Sequence, residues 1–393
     1  MAEAVSTPGV IDVRRLLVRR SASQMLDRRI GGGPEAAVRA LLAVQAQDRT
    51  SWRLALRARV AGITAADVNV ALTEKRTLLV AWLNRGTLHL VCAEDYPWLL
   101  ALSGPTQATA NARRLAQEGL SADDVERGVT TIERALAADG PLVRSQIRDR
   151  LAEQGIRTEG QALVHLLFAT VTRGIAVQGP MIGAEHAFVH AREWLGTAVV
   201  PPSSGERERA LAELARRYLV GHGPATDADL AKWAGLPLRD ARAGLRTIGA
   251  ELVEIGGGLV DLASRRPDWE QPDVAAGPAV GAGAGPAEPA TTLPPRLLPS
   301  WDPSLVGWTS RGPILRRADE PNVIPPGGGL FRPFATVDGV AAATWGVRRL
   351  GERLEVRIDP FRALEPDAVA ALDAEAEDVA RFEGRRLVRS PFA

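Results

Sequence analysis

Gln45 and Gln47 stand one residue apart where an amphipathic run ends. A carboxamide accepts through its carbonyl and donates through its amide without titrating, so such a pair can position a polar partner but cannot serve as acid or base. Spacing constrains it further. Residues i and i+2 of a helix face different sides, so one shared site requires the chain to leave the helix here and extend. Asp48-Arg49-Thr50-Ser51 directly after the pair supports that break. The alternative is that Gln45 ends a helix and both glutamines are polar loop residues.

Other reactive side chains are sparse. His186 and His190 have the i, i+4 spacing of a metal pair only on a helix, and the sequence around them alternates like a strand, with no cysteine nearby. No metal and no other cofactor is expected. A single cysteine, Cys92, has no internal disulfide partner and fits a reducing compartment. Lys75 and Lys232 are the only lysines; every other strong base is arginine, the side chain suited to bidentate phosphate and base contacts, although a GC-rich genome also favours arginine. The formal net charge is only +1, but residues 1–60 hold 11 arginines against 5 acidic residues, which points to a phosphate-binding face in the N-terminal part. No apolar run approaches the roughly 18–20 residues that cross a bilayer, and no secretory leader is visible, so the cytoplasm is the expected location and no membrane partner is expected.

The elements that must position these residues follow from periodicity. Pro34 opens a helix with Val38, Leu41 and Leu42; a second from about Ser51 carries Leu54, Leu56 and Val60; Thr64 caps a third with Val68 and Leu72. Strands at Leu78–Leu83 and Thr87–Val91 flank Asn84-Arg85-Gly86. Ser121 caps a helix that stops at Gly140-Pro141, two further helices end at Gly174, and Ile175–Val177 with Phe188-Val189 read as a hairpin. The same order returns from about Glu206: a helix to Gly223-Pro224, a short helix capped by Thr226, a helix from Leu238, and a hairpin at Leu252–Ile255 and Leu259–Leu262. Two aligned units of helix, helix-turn-helix and hairpin signal winged helices. Farther on, Leu330–Val337, Ala341–Leu350 and Arg353–Ile358 alternate like strands around an Asp338-Gly339 turn, with a helix from about Pro366 to Arg381.

Three segments carry a family resemblance: Val44-Gln45-Ala46-Gln47-Asp48, Arg85-Gly86-Thr87-Leu88-His89-Leu90-Val91, and Leu298-Pro299-Ser300-Trp301-Asp302-Pro303 with Gly307-Trp308 and Arg311. The chain resembles the winged-helix DNA-binding family that includes the AlkZ-type DNA glycosylases, over nearly its whole length. The resemblance implies tandem winged helices with a C-terminal β-domain, removal of bulky alkylated purines with or without crosslink unhooking, and Gln45 and Gln47 as the catalytic pair. Such chemistry suits amides. A purine alkylated at N7 or N3 is cationic and already a good leaving group, so the enzyme must chiefly position water and stabilise an oxocarbenium-like sugar. Neither lysine lies in a matched motif, which favours monofunctional hydrolysis over amine attack. Arg85 and Arg311 suit phosphate contact, or else hold a structural carboxylate. His89 faces opposite to Leu88 and Leu90 and either contacts phosphate or is a hydrogen-bonded structural histidine. Trp52 either stacks on a flipped or adjacent base or is buried, while Trp82, Trp98, Trp301 and Trp308 are read as packing.

The expected fold class is therefore α+β: a first winged-helix unit at 1–110 with the Gln-x-Gln motif, a second at 111–198, a third at 199–263, an Ala/Gly/Pro-rich linker at 264–295, and a C-terminal antiparallel β-sheet or barrel domain with one helix at 296–393. The expected function is hydrolysis of the N-glycosidic bond of alkylated purines in double-stranded DNA by a monomer; the alternative is a non-catalytic winged-helix regulator or scaffold. Every residue from Ala275 to Ala290 except Val280 and Glu288 is Ala, Gly or Pro, a composition that buries too little apolar surface to offset ordering. Limited proteolysis under native conditions is expected to cut within 275–290 first; an intact stretch there, with cuts elsewhere, rejects the two-part division.

Overall fold

The structure, a computed structural model, describes residues 12–48, 51–183, 185–197, 204–265, 292–327 and 329–388. Helix α1 (Val13–Ser23), which the sequence reading did not anticipate, is capped by the Asp12 side chain accepting from the Arg15 amide. Helix α2 (Pro34–Leu41) begins on a proline, whose missing N–H costs nothing in a first turn. It ends at Leu42 in a positive-φ conformation (φ 65°), and the chain then runs extended as strand β1 (Val44–Gln45). Asp48 Oδ1 accepts from the Ser51 amide (2.8 Å) at the start of α3 (Ser51–Arg59), and a Thr64/Asp67 capping box starts α4 (Ala65–Thr73). Strands β2 (Leu78–Trp82) and β3 (Leu88–Cys92) follow around the Asn84–Gly86 turn.

Helix α5 (Tyr96–Gln117) is 22 residues long and runs on through Gly104-Pro105, a pair that disfavours helix interiors. Gly104 lies where a Cβ would stand 3.2 Å from the Thr172 carbonyl oxygen, a close approach of α5 to the helix it packs on. Then come α6 (Ala122–Asp139), α7 (Arg144–Glu153), α8 (Ala162–Thr172), the hairpin β4 (Ala176–Ile182) and β5 (Glu185–His190), and the short α9 (Ala191–Leu195). The order repeats in α10 (Ser204–His222), α11 (Asp227–Ala234), α12 (Leu238–Thr247), β6 (Leu252–Gly256) and β7 (Leu259–Leu262). The recurring Gly-Pro has the same task in both copies. The residue after it, Leu142 or Ala225, bridges antiparallel to its own hairpin at Phe188 or Val260 through a pair of backbone hydrogen bonds.

The hairpins differ in their partners. Strands β6 and β7 form a two-stranded sheet, whereas β4–β5 joins the first unit in one five-stranded sheet of order β1-β3-β2-β4-β5. The sheet thus crosses the expected boundary at 110/111. The physical reason is β2: all five of its residues are buried, and such a strand needs a neighbour on each edge. The C-terminal part holds β8 (Arg296–Leu298), α13 (Pro303–Val306), α14 (Glu320–Val323), β9 (Phe334–Val337), β10 (Val340–Leu350), β11 (Arg353–Pro360), α15 (Pro366–Phe382) and β12 (Arg386–Leu387). Its sheet has the order β12-β11-β10-β9-β8, antiparallel as expected except at the edge, where β12 runs parallel to β11. Asp338 and Gly339 both take positive φ (50° and 78°) in the β9–β10 turn. The linker expected at 264–295 falls mostly on 266–291, outside the described residues. No described helix is long and apolar enough to cross a membrane.

Helix α3 joins the two parts. Arg57 donates to Glu375 (2.9 Å), Asp378 (3.1 Å) and the Leu297 carbonyl (2.6 Å). Arg59 makes a two-pronged pair with Asp302 (2.8 and 2.9 Å) and also donates to Gln24 (2.9 Å). Both guanidiniums are fully buried. Around them Trp52, Leu56, Leu297, Trp345 and Phe382 belong to one apolar core. These ties remove part of the N-terminal arginine excess from any phosphate-binding face: Arg20, Arg57 and Arg59 are buried, and Arg14 and Arg29 pair with Asp338 and Glu375. Removing one partner of a buried pair leaves an uncompensated charge, so Asp302→Ala is expected to cost about 3–5 kcal/mol of unfolding free energy. Urea denaturation reads this as a lower midpoint at unchanged slope; a loss below about 1 kcal/mol, as for a surface pair, rejects the assignment.

Candidate active site

The break after α2 decides the geometry of the glutamine pair. Strand β1 pairs with β3 in the register Val44↔Leu90 and Gln45↔His89, and the Ala46 amide donates to the Leu88 carbonyl (2.7 Å). Gln45 closes β1 and Gln47 lies two residues on, in the bend that follows, so the pair leaves the helix as its spacing requires. Gln45 is buried at 6% exposure, whereas Gln47 is open to solvent. Each amide is oriented by a donor that leaves no choice of flip. Gln47 Oε1 accepts from the Leu88 backbone amide (3.2 Å), and Gln45 Oε1 accepts from Arg85 Nη2 (3.4 Å). Both –NH2 ends are therefore directed away from these donors.

Arg85 reaches the pair from a tight turn. It takes a left-handed conformation (φ 57°), and Gly86 follows with φ 71°. The positive φ at Gly86 calls for glycine, and the Gln107 side chain packs close over it. Thr87 donates its amide and hydroxyl to the Asn84 carbonyl and closes the turn (3.2 and 3.1 Å). The other arm of the Arg85 guanidinium donates to the carbonyls of Trp233 (2.5 Å) and Lys232 (3.2 Å) at the end of α11. Gly235, the C-cap of α11, abuts the Arg85 backbone, where a Cβ would lie 2.7 Å from the Arg85 nitrogen.

His89 and Trp52 do not face outward. His89 is 2% exposed, with Nδ1 2.9 Å from the Thr87 carbonyl. Burial, reinforced by the positive Arg85, pushes its pKa down to about 3, so it is neutral at any physiological pH. The expected phosphate contact is corrected to a structural histidine behind the pair. Trp52 is 1% exposed and packs against His186 at 5.7 Å between ring centres, with the Arg53 guanidinium 5.0 Å away; buried this way, it has no face for a base. His186 and His190 lie on β5, where four residues span about 13 Å, too far apart to share an ion.

Residues absent from the motif reading complete the surroundings. Lys232 donates to the Thr309 carbonyl (3.3 Å), and its pKa is lowered by burial and then by the positive charges of Arg311 and Arg85, against the opposing pull of Asp229. Lys232, Arg311 and Arg85 thus gather within Coulombic reach of one another. Arg311 donates to the Leu305 carbonyl (3.2 Å), lies over the Phe331 ring (5.3 Å) and is 4.0 Å from Glu320. The rest of the third matched segment is architectural. Trp308 Nε1 donates to the His222 carbonyl (2.9 Å), Tyr218 Oη donates to the Gly307 carbonyl (2.8 Å), and His222 stacks on Tyr218 (4.8 Å, 6°). Arg20 covers Trp308 (4.5 Å), its pKa brought down to about 10 by burial. Asp229 accepts from the Thr309 amide and hydroxyl (2.7 and 2.6 Å), and so fixes this loop to α11. Only the rarity of lysine could have drawn attention to Lys232.

Comparison with known proteins follows the same lines. A family model described as DNA glycosylase AlkZ-like matches residues 38–382. Among solved structures, the DNA glycosylase AlkZ of Streptomyces sahachiroi is similar in fold, with a TM-score of 0.73 and 22% identity, over 97% of this chain and 100% of that one. No curated protein matches the sequence.

Burial of His89 and His222 has a measurable consequence. Both have folded pKa values of about 3 against an ordinary 6.5. Below the ordinary value the unfolded imidazoles take up protons that the folded ones refuse, so stability must fall with falling pH. From pH 6.5 to about 5 the loss for the two together is about 3 kcal/mol. Urea midpoints across this range measure it. His89→Gln should flatten the slope, and an unchanged slope in that variant rejects the neutral-imidazole assignment.

Proposed function

Because the chain belongs to the AlkZ-like DNA glycosylase family, and is thus a hydrolase of DNA repair, we propose that Gln45 and Gln47 are its catalytic pair and that its substrates are purines alkylated at N7 or N3, bulky adducts and crosslinked bases included. The observation that carries the proposal is that the amides of Gln45 and Gln47, two residues apart at the end of β1, each have their oxygen held by a fixed donor. One of those donors is Arg85, which is itself tied to the end of α11. The C1′–N bond of the lesion breaks with its electron pair moving onto the base, which neutralises the positive charge that alkylation introduced. Water forms the new C1′–O bond and releases its proton to solvent. The free lone pair of a carboxamide oxygen accepts from that water, and the –NH2 ends orient the sugar–phosphate around it. His89 stays neutral and Arg85 stays charged, so the leaving base receives no proton from either; a cationic purine needs none.

The surroundings suit DNA. Lys232 and Arg311 are read as phosphate contacts flanking the reacting nucleotide. The two helix–hairpin units, α6–β5 and α10–β7, are read as winged helices, each hairpin backed by the bridge after its Gly-Pro. The protein is taken to work as a cytoplasmic monomer on duplex DNA, with divisions near residues 198, 263 and 295.

Single-turnover excision from a duplex with one N7-alkylguanine, followed by strand scission and a denaturing gel, tests this. A methyl and a bulky lesion should both be tried. Gln45→Ala and Gln47→Ala are each expected to slow base release on the order of 10²-fold with nearly unchanged duplex affinity. The double variant should fall short of the product of the two losses. Lys232→Ala and Arg311→Ala should each reduce the log–log salt slope of binding by about 0.9. Wild-type rates in both glutamine variants reject the catalytic assignment, and no excision of any alkylpurine rejects the substrate class.

A further inference from the structure

Arg85 has the chemistry of a phosphate ligand, yet both terminal nitrogens of its fork already have partners within the protein. One arm of the fork satisfies the Trp233 and Lys232 carbonyls, two of the last carbonyls of α11, which have no partner within their own helix. The other arm reaches Gln45 Oε1. The guanidinium is half-buried, and burial lowers its pKa. The backbone holds it there as well: the left-handed turn at Arg85 is seated against Gly235, and Gly86 against Gln107. A residue so committed cannot swing out to a DNA backbone without freeing two helix-end carbonyls and the Gln45 amide together.

We infer that Arg85 is a positioning residue for base excision: it fixes the Gln45 carboxamide and locks the glutamine pair to the end of α11, so that the site is correctly set only when the third helical unit is docked. The inference rests on the glutamine reading. A planar five-donor fork is what the task requires, since one end must serve two carbonyls and the other a side-chain amide. Lysine keeps the charge but has a single point of attachment. The geometry also assigns the third unit a second duty. Lys232 and Trp233 belong to α11, whose Asp229 is fastened to Thr309. A shift of α11 on DNA would therefore reach Gln45 through Arg85.

The test is single-turnover excision on the N7-alkylguanine duplex by the wild type, Arg85→Ala, Arg85→Lys, Gln45→Ala and the double variant Arg85→Ala/Gln45→Ala, with affinity for undamaged duplex measured across a salt series. Arg85→Ala is expected to slow excision on the order of 10-fold while leaving the salt slope unchanged, and Arg85→Lys to remain slow. The double variant should be no slower than Gln45→Ala alone, because a residue that acts through Gln45 has nothing left to act on. A merely structural role would instead add its loss in full. A salt slope smaller by about 0.9 with a wild-type rate identifies Arg85 as a phosphate ligand and overturns the inference. Multiplicative losses in the double variant overturn it too. If Arg85→Ala does not fold, Arg85→Lys and its double with Gln45→Ala give the same two readouts. A slow Gln45→Ala beside a fast Arg85→Ala rejects only the role of Arg85, whereas a fast Gln45→Ala rejects the glutamine reading and this inference with it.

Discussion

Helix α3 carries Arg57 and Arg59 into the interior with no exposed surface, and a guanidinium withdrawn from water costs several kcal/mol unless its donors meet acceptors. Those acceptors come from far along the chain: Glu375, Asp378 and the Leu297 carbonyl for one, Asp302 and Gln24 for the other. Satisfying both at once leaves the helix a single orientation against the C-terminal sheet. The segment that holds Gln45 and Gln47 runs into this helix, with Asp48 capping its first turn. The position of the candidate pair is thus set from one side by buried ion pairs and from the other by the ladder between β1 and β3.

Arginine does most of the joining elsewhere too. Arg20 reaches the Pro224 carbonyl (3.1 Å), lies 3.6 Å from Asp229 and covers Trp308. Arg217 grips Asp95 with two bonds (2.9 and 3.1 Å), and Arg85 bridges the glutamine segment to α11. A planar fork suits such positions because it fixes direction as well as charge. Part of the basic excess that sequence reading assigned to a DNA surface is therefore internal scaffolding, Arg20, Arg57 and Arg59 among it. Lys232 and Arg311, the cations gathered around Arg85, come from segments with no such excess.

Much of the fold was legible because its signals are local. Capping residues Ser121, Thr64 and Thr226, the Asp338-Gly339 turn, and the twice-repeated helix order are written within a few residues of where they act. What depends on distant partners was not legible. Nothing near Ala176–Ile182 says that this hairpin will pair with Val80 rather than stand alone, and Gly104-Pro105 gives no sign that packing against Thr172 holds one helix through it. The site divides in the same way. The requirement that Gln45 and Gln47 be extended followed from spacing alone. The burial of His89 and Trp52, and the arrival of residues 232, 309 and 311 beside residue 85, needed three dimensions.

On the proposed reading, the amides at the pair, with neutral His89 behind them and a permanently charged Arg85 beside them, make a weak catalyst by ordinary standards. None of these groups can hand a proton to a departing base near neutral pH. In a genome where intact purines outnumber damaged ones by many orders of magnitude, that weakness is a safeguard. An intact purine that strays into such a site meets nothing able to activate it, whereas an alkylated one brings its own activation as positive charge. On the proposed reading, discrimination rests on the instability of the lesion and needs no snug recognition of its shape, so adducts of very different size would pass the same test.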